Sequence, residues 1–127
     1  MKMALTYGWD VEVDRGPDWL FVRIHPPEDL LHGDESHLAE RLWEMLQQGF
    51  SHRLVLELDQ IHMLSTYLVG QLVLLHKRIG AHGGTMRICG LSPRCAEVLR
   101  IHRLADRLYP YENRTEAVMG VRPNKPR

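Results

Sequence analysis

The sequence has no net charge, few cysteines and no long hydrophobic run, and each of these absences excludes a class of protein. Sixteen acidic residues balance sixteen basic residues in the chain of 127, so no overall basic charge indicates nucleic acid or an anionic membrane as the ligand. No apolar run reaches the roughly 18 residues that a membrane-spanning helix needs, and the N-terminus lacks a secretory signal. We therefore expect a cytoplasmic protein with no membrane insertion and no nucleic-acid partner.

The cysteines and histidines do not indicate a disulfide or a metal site. The chain has only two cysteines, Cys89 and Cys95, and in a reducing compartment we expect both to be buried thiols. Eight histidines are present, but no two of them have HExxH spacing and none combines with paired cysteines at zinc-finger spacing. The sequence therefore predicts no metal site and no cofactor.

The strongest structural pattern lies at the centre of the chain. Residues 53–58 form a short aliphatic run that is typical of a strand buried on both faces. Apolar residues then recur at helical spacing, after a cap at Ser65 or Thr66 and before the helix-ending glycines at 83–84. Residues 85–89 follow as a second strand. A strand, a crossover helix and a strand predict a βαβ unit with parallel strands.

Two strands and a helix are predicted before this central unit. Residues 6–13 and 19–24 alternate in hydrophobicity and are separated by turn-forming residues, so they predict an antiparallel hairpin. An irregular connector over residues 25–33 follows, and it is a candidate contact surface. The next helix is predicted to extend from a cap at Asp34 to Gln48.

Two shorter helices and a weak strand are predicted after the central unit. Ser92 is expected to cap a helix that has Pro93 at its first position. Residues 108–111 predict an edge strand that is interrupted by a proline. Thr115 is then expected to cap a last short helix that ends at Gly120.

The predicted elements assemble into one domain. The length of the chain and its 44% apolar content are sufficient for a single core. We predict an α/β fold over residues 1–120, with a mixed sheet of four to five strands, an N-terminal antiparallel hairpin, a parallel βαβ core and about four helices. Residues 121–127 are basic and contain prolines, and they are predicted to form a disordered tail.

This order of elements resembles the STAS domain of anti-sigma factor antagonists. The resemblance covers about residues 7–120. It rests on the spacing of several short segments, namely LVLELDQI before the central turn, Gly70, Gly83-Gly84, Met86 to Cys89, Leu91-Ser92-Pro93 and Thr115 to Ala117. The resemblance implies a STAS-like domain that acts by binding other proteins.

In that family, the turn before the central helix carries an Asp-Ser-Ser-Gly motif. Its second serine is phosphorylated by a partner that is both an anti-sigma factor and a kinase. An ungapped comparison places Ser65, Thr66, Tyr67 and Leu68 on the four motif positions, so the motif is degenerate and the acceptor position holds a tyrosine. A register shifted by one residue makes Thr66 the acceptor, but it requires compensating gaps. The ungapped register is favoured.

The candidate functional residues lie in this turn. Ser65 and Thr66 are the candidate phosphate acceptors, because a helix N-terminus stabilises a phosphate group; the alternative is that one of them only caps the helix. The bulky side chains of Met63, Leu64 and Tyr67 would anchor a partner if exposed, and would close the core if buried. The predicted partner-binding residues are Met63, Leu64, Ser65, Thr66, Tyr67 and Leu68.

Two functions follow from the resemblance. The first is a non-catalytic STAS regulatory protein that binds an anti-sigma factor or a serine/threonine kinase-like ATPase, with phosphorylation at the turn as a switch. The second is a structural STAS subunit of a larger assembly, such as a lipid-transport complex or a signalling scaffold. The oligomeric state is left open, and a dimer is one option.

Enzymatic interpretations have less support in the sequence. His62 and Ser65 suggest a base and a nucleophile, but the GxSxG elbow is absent. Asp59 at a strand end is similar to the phosphoryl-accepting aspartate of receiver domains, but the further acidic residues needed to hold magnesium would have to be Glu12 and Asp14 on the predicted hairpin. We therefore predict that the protein has no catalytic residues.

Overall fold

A computed structural model of the chain shows a mixed β-sheet with helices packed on its faces. The structure describes residues 2–6, 8–28, 37–49 and 51–122. Within these ranges the elements, in chain order, are β1 (Lys2–Thr6), β2 (Trp9–Arg15), β3 (Leu20–His25), α1 (Leu38–Gln48), β4 (Arg53–Glu57), α2 (Thr66–Ala81), β5 (Thr85–Cys89), α3 (Pro93–Ile101), β6 (Pro110–Tyr111) and α4 (Arg114–Met119).

The sheet changes from antiparallel to parallel pairing at its centre. Its strand order is β1-β2-β3-β4-β5-β6. The β1–β2 and β2–β3 pairs are antiparallel, whereas β3, β4, β5 and β6 pair in parallel. The carboxyl ends of β3, β4 and β5 therefore lie along one edge of the sheet, and their amino ends lie along the opposite edge. The predicted α/β class, N-terminal hairpin and parallel βαβ unit are confirmed.

The larger part of the core lies between one face of the sheet and helices α1, α2 and α3. Alternate residues of the central strands face these helices, and burial of each aliphatic side chain contributes about 1.5–3 kcal/mol. The strand residues in this cluster include Val11, Leu20, Val22, Ile24, Leu54, Leu56, Met86 and Ile88. A smaller cluster on the opposite face is formed by Phe21, Val55, Cys89, Tyr111 and Ala117, so α4 covers that face in part.

The sheet has one strand more than the four to five predicted. The predicted strand over residues 6–13 corresponds to β2, and a turn at Gly8, which has a φ of 84°, separates β2 from the additional strand β1. β1 is an edge strand, and its first three residues are exposed. An exposed edge strand lacks the alternation of apolar and polar residues that marks a half-buried strand, so the sequence pattern missed β1.

The helix starts include both confirmed and corrected predictions. Ser65 caps α2, and Ser92 caps α3 ahead of its N-terminal proline. The predicted cap at Thr115 is wrong: the N-cap of α4 lies two residues earlier, at Asn113, whose side chain accepts the capping hydrogen bond. Asp34 lies outside the described residues, as do residues 29–33 of the connector and residues 123–127 of the tail.

The C-terminal ends of α2 and α3 share a backbone geometry but differ in residue type. Gly83 follows α2 with a φ of 78°, and Arg103 follows α3 with a φ of 58°. Both positions carry the paired backbone hydrogen bonds of a Schellman motif. This left-handed conformation costs an ordinary residue roughly 1–2 kcal/mol.

We expect Arg103→Gly to raise the free energy of unfolding by about 1 kcal/mol, because glycine has no Cβ to strain this conformation. Gly83→Ala should lower it by about the same amount. Urea denaturation of the two variants and the parent measures both changes. An Arg103→Gly protein that is less stable than the parent would contradict the prediction.

Candidate functional site

The loop between β4 and α2 lies at the carboxyl edge of the parallel strands, where open α/β sheets bind their ligands. The loop is fixed to the core on its inner side. The Leu58 N–H donates to the carbonyl of Cys89 at 2.8 Å, and the Ile61 N–H donates to the carbonyl of Leu58 at 3.1 Å. The side chains of Ile61 and Leu64 are buried in the main core. These contacts place the start of α2 at the edge of the sheet.

Ser65 and Thr66 have different roles at the start of this helix. Ser65 is the N-cap residue, and its Oγ accepts a hydrogen bond from the Leu68 N–H at 3.1 Å. Thr66 is the first helical residue and is exposed. The first turn of α2 contains no acidic residue, so no carboxylate of that turn opposes a phosphate at the positive end of the helix. Thr66 is therefore the more accessible of the two candidate acceptors.

The bulky residues of the turn divide into an exposed pair and a buried pair. Met63 is 71% exposed and Tyr67 is 78% exposed, whereas Leu64 is 6% exposed and Leu68 is 2% exposed. The prediction that all six residues 63–68 meet a partner therefore has to be corrected for Leu64 and Leu68. Their side chains pack into the core and support the turn from the inside.

The exposed side of the turn continues along α2. Gly70 is exposed and Leu74 is 56% exposed, and their spacing from Tyr67 places all three residues on one face of the helix. Leu74 escaped the sequence prediction because it belongs to an unbroken apolar run in which periodicity does not single it out. We name the set of Met63, Thr66, Tyr67, Gly70 and Leu74 the turn surface.

A network of charged side chains lies close to the loop, on the sheet face that carries α4. Its centre is Glu57, which is 7% exposed. Arg114 donates to both carboxylate oxygens of Glu57, at 3.2 and 2.8 Å, and donates to Asp14 at 2.7 Å. Arg23 connects Glu57, at 3.4 Å, with Asp59 in the loop, at 3.0 Å. The network joins β2, β3, β4 and α4 to the first part of the loop.

The pKa shifts of Arg114 and Asp59 favour the charged forms of these two side chains. The hydrogen bond to Glu57 is the main reason that the pKa of Arg114 is raised, against the opposing effect of burial. Burial alone would raise the pKa of Asp59, but hydrogen bonds from Gln60 and Arg23 outweigh it and hold this pKa below its usual value. Asp59 is therefore an ionised partner of Arg23 at neutral pH.

The acidic, histidine and cysteine side chains outside this network include an ion pair and two buried thiols. Glu12 pairs with His25 at 2.9 Å and with Arg23 at 3.5 Å. In the described ranges, no group of three or more His, Cys, Asp or Glu residues is arranged to hold a metal ion. Both cysteines are free and buried, as predicted, and burial raises the pKa of the Cys89 thiol to about 12.

A comparison with protein families gives a match to the STAS domain over residues 9–117. The chain belongs to the STAS domain family. No curated protein sequence matches it. Across the described parts of this STAS domain, no helix is long and apolar enough to cross a membrane.

Solved structures of anti-sigma factor antagonists have the same fold. An anti-sigma factor antagonist from Mycobacterium paratuberculosis shares 14% identity with a TM-score of 0.71, over 91% of this chain and 95% of that one. An anti-sigma factor antagonist domain protein from Planctomyces limnophilus shares 20% identity with a TM-score of 0.66, over 87% and 96% of the two chains. The phosphorylated form of SpoIIAA from Bacillus shares 14% identity with a TM-score of 0.61, over 88% and 99%.

The positions that correspond to the Asp-Ser-Ser-Gly motif differ in their exposure to solvent. Thr66 and Tyr67, the acceptor positions of the two possible registers, are both exposed. Leu68, which takes the glycine position in the ungapped register, is buried in the core. The degenerate motif thus retains exposed hydroxyl groups at the helix start, although the acidic residue and the glycine of the family pattern are absent.

Proposed function

We propose that this STAS domain is a non-catalytic regulatory protein that binds an anti-sigma factor or a serine/threonine kinase-like ATPase through the turn surface. The observation that carries the proposal is the exposure of Tyr67 and Met63 at the edge where ligands meet parallel sheets. Aromatic residues and methionine are enriched at the centres of protein interfaces. The structural likeness to anti-sigma factor antagonists supports the class of partner.

The backbone of the turn surface is preorganised in the free protein. Ser65 caps the helix, and the buried side chains of Leu64 and Leu68 hold the backbone on both sides of the cap. A partner that contacts Tyr67 therefore has little backbone left to order, and this lowers the entropic cost of association. We infer that such binding takes place in the cytoplasm.

A phosphate on Thr66 would change this surface. It would add a charge of roughly −1.5 to −2 immediately before Tyr67, the exposed aromatic residue of the turn. The helix N-terminus stabilises such a group within the free protein, whereas burial of the charge against an apolar partner would be unfavourable. Phosphorylation at this position would therefore release the partner.

The test is to incubate the purified protein with the kinase-type anti-sigma factors of its own organism in the presence of labelled ATP. We expect a stable complex on gel filtration and, because Tyr67 occupies the acceptor position of the favoured register, no incorporated label. Label that Thr66→Ala removes and Thr115→Ala retains would establish the shifted register instead. Failure of all these partners to form a complex would overturn the proposal.

The degenerate motif is a specific reason to keep a second candidate function. With Tyr67 and Leu68 in place of the serine and glycine, the chain lacks the usual phosphate acceptor. A structural subunit that is not regulated by phosphorylation would also lack it. In that case this STAS domain is a structural part of a larger assembly, such as a lipid-transport complex. Affinity purification from native cells separates the two functions, because it recovers either sigma-factor regulators or transport ATPase subunits.

A further inference from the structure

A cleft of about 420 Å³ opens at the amino ends of β3 and β4. Its volume is within the range of small-molecule sites, about 300–1,000 Å³. The turn between β2 and β3 forms one side, and the segment from α1 into β4 forms the other. The cleft lies at the amino end of β4, whereas the turn surface follows its carboxyl end. The five residues of β4, at about 3.3 Å each, therefore separate the two sites across the sheet.

Arg53 places an unneutralised positive charge in this cleft. Its guanidinium group lies over the ring of Trp19, 5.7 Å from the centroid, and Arg87 lies 5.1 Å from the same ring. Within the described ranges, Arg53 forms no ion pair with a carboxylate. A cation–π contact orients the guanidinium group but leaves its positive charge and its N–H donors available.

Arg15 brings a second guanidinium group to the cleft, and Gly49 provides the space for it. Arg15 Nη1 donates to the Gly49 carbonyl at 3.3 Å. A Cβ atom on Gly49 would lie 2.9 Å from Arg15 Nη2, so any other residue would require the end of the Arg15 side chain to shift. No described carboxylate pairs with Arg15. Among the lining residues, Asp18 is the single acidic one.

The arginines at the two edges of the sheet thus differ in whether they are paired with carboxylates. At the carboxyl edge, Arg23 and Arg114 are paired with carboxylates. At the amino edge, Arg15 and Arg53 line one cleft without such partners. Guanidinium groups match the geometry of phosphate oxygens and bind them with charge-assisted hydrogen bonds. We propose that this cleft binds the oxyanion of a phosphate-bearing ligand, with Arg15 and Arg53 as the donors.

The test is a titration of the whole protein with pyrophosphate and with a phosphoserine peptide, followed by the NMR shifts of the Trp19 indole and the Gly49 amide. We expect a saturable shift, and Arg53→Gln should weaken the affinity by about tenfold, which corresponds to one lost charge-assisted contact. Arg94→Gln removes the same charge from an exposed position on α3 and should weaken it by much less.

A second pair of variants leaves the charge unchanged. Gly49→Ala forces the end of the Arg15 side chain to shift and should weaken binding by about threefold, part of one charge-assisted contact. Gly80→Ala should leave the affinity unchanged, because its Cβ would contact nothing within 4 Å. Normal binding by Gly49→Ala, or equal weakening by Arg53→Gln and Arg94→Gln, would show only general charge attraction and would overturn the proposal.

The two probes also separate the two sources of phosphate. Tighter binding of pyrophosphate indicates a free polyphosphate, whereas tighter binding of the peptide indicates a phosphorylated protein segment, and both outcomes support the site. The absence of a saturable shift with either probe would overturn it. Since the cleft and the turn surface share no residue, failure here leaves partner binding at the turn surface unaffected.

Discussion

Replacement of Glu57 by glutamine is expected to lower the free energy of unfolding by about 3 kcal/mol. Glu57 is the only buried charged residue in the described ranges, and it accepts hydrogen bonds from Arg114 and Arg23. A neutral amide at this position no longer balances the positive charges of the two guanidinium groups, which lie in a partly buried site. The loss should be at the low end of the range for a broken buried pair, about 3–5 kcal/mol, because both arginine side chains are about one-third exposed.

A matched control for this prediction is Glu97→Gln on α3. Glu97 also forms an ion pair with an arginine, Arg100, but both side chains are exposed and the pair is local in sequence. Such pairs contribute little to stability, so we expect the unfolding curve of this variant to overlay that of the parent. Urea denaturation of both variants provides the comparison. Equal effects of the two substitutions would show that burial of Glu57 is energetically unimportant.

The central part of the fold was predictable because local and tertiary preferences agree there. The aliphatic run of β4 is buried, as its sequence indicates. Ser65 and Ser92 are N-caps with the preferred side chain. Glycine at position 83 has the positive φ that a helix end requires. Each of these features acts over a few residues, so a single sequence contains the information needed to predict it.

The features that escaped prediction depend on contacts between distant segments. Arg114 and Glu57 are 57 residues apart in the chain, and no short-range pattern indicates that they meet. The only local signal is that Glu57 ends a strand whose preceding residues are apolar, and a carboxylate in such a position requires a partner. The cap of α4 was misplaced for a simpler reason. Asn is a better N-cap residue than Thr, and Glu116 lies three residues after Asn113, the spacing of a capping box, so the sequence contained a signal for Asn113 that the prediction overlooked.

The sequence predicts a candidate site in the turn, but it does not separate the buried residues of the turn from the exposed ones. A loop has no fixed periodicity, so the sequence does not show that Leu64 points inward while Met63 points outward. Within the helix, Leu68 belongs to the apolar stripe of α2, and its burial follows from the helical period. Gly70 carries part of the family resemblance, but the sequence does not show that this helix-interior glycine lies in the middle of the exposed face.

We expect Gly70→Gln to weaken the affinity for the partner of the turn surface by about thirtyfold, or 2 kcal/mol, the lower limit of a strong interface contact. This prediction rests on the proposed function. A glycine within a helix costs about 1 kcal/mol relative to alanine, yet a Cβ at Gly70 would contact nothing within 4 Å. The fold itself therefore does not require a glycine there, whereas a partner packed closely between Tyr67 and Leu74 would.

Gly80→Gln provides the matched control, because Gly80 lies in the same helix and also has open space around its Cβ position. Both variants should be at least as stable as the parent in urea denaturation, since glutamine is the better helix former. Isothermal titration calorimetry with the partner should then show weaker binding for Gly70→Gln alone. Unchanged affinity would mean that the partner does not cover this part of α2. Because Gly70→Gln is expected to stabilise the free protein and weaken the complex, misfolding cannot explain the predicted loss.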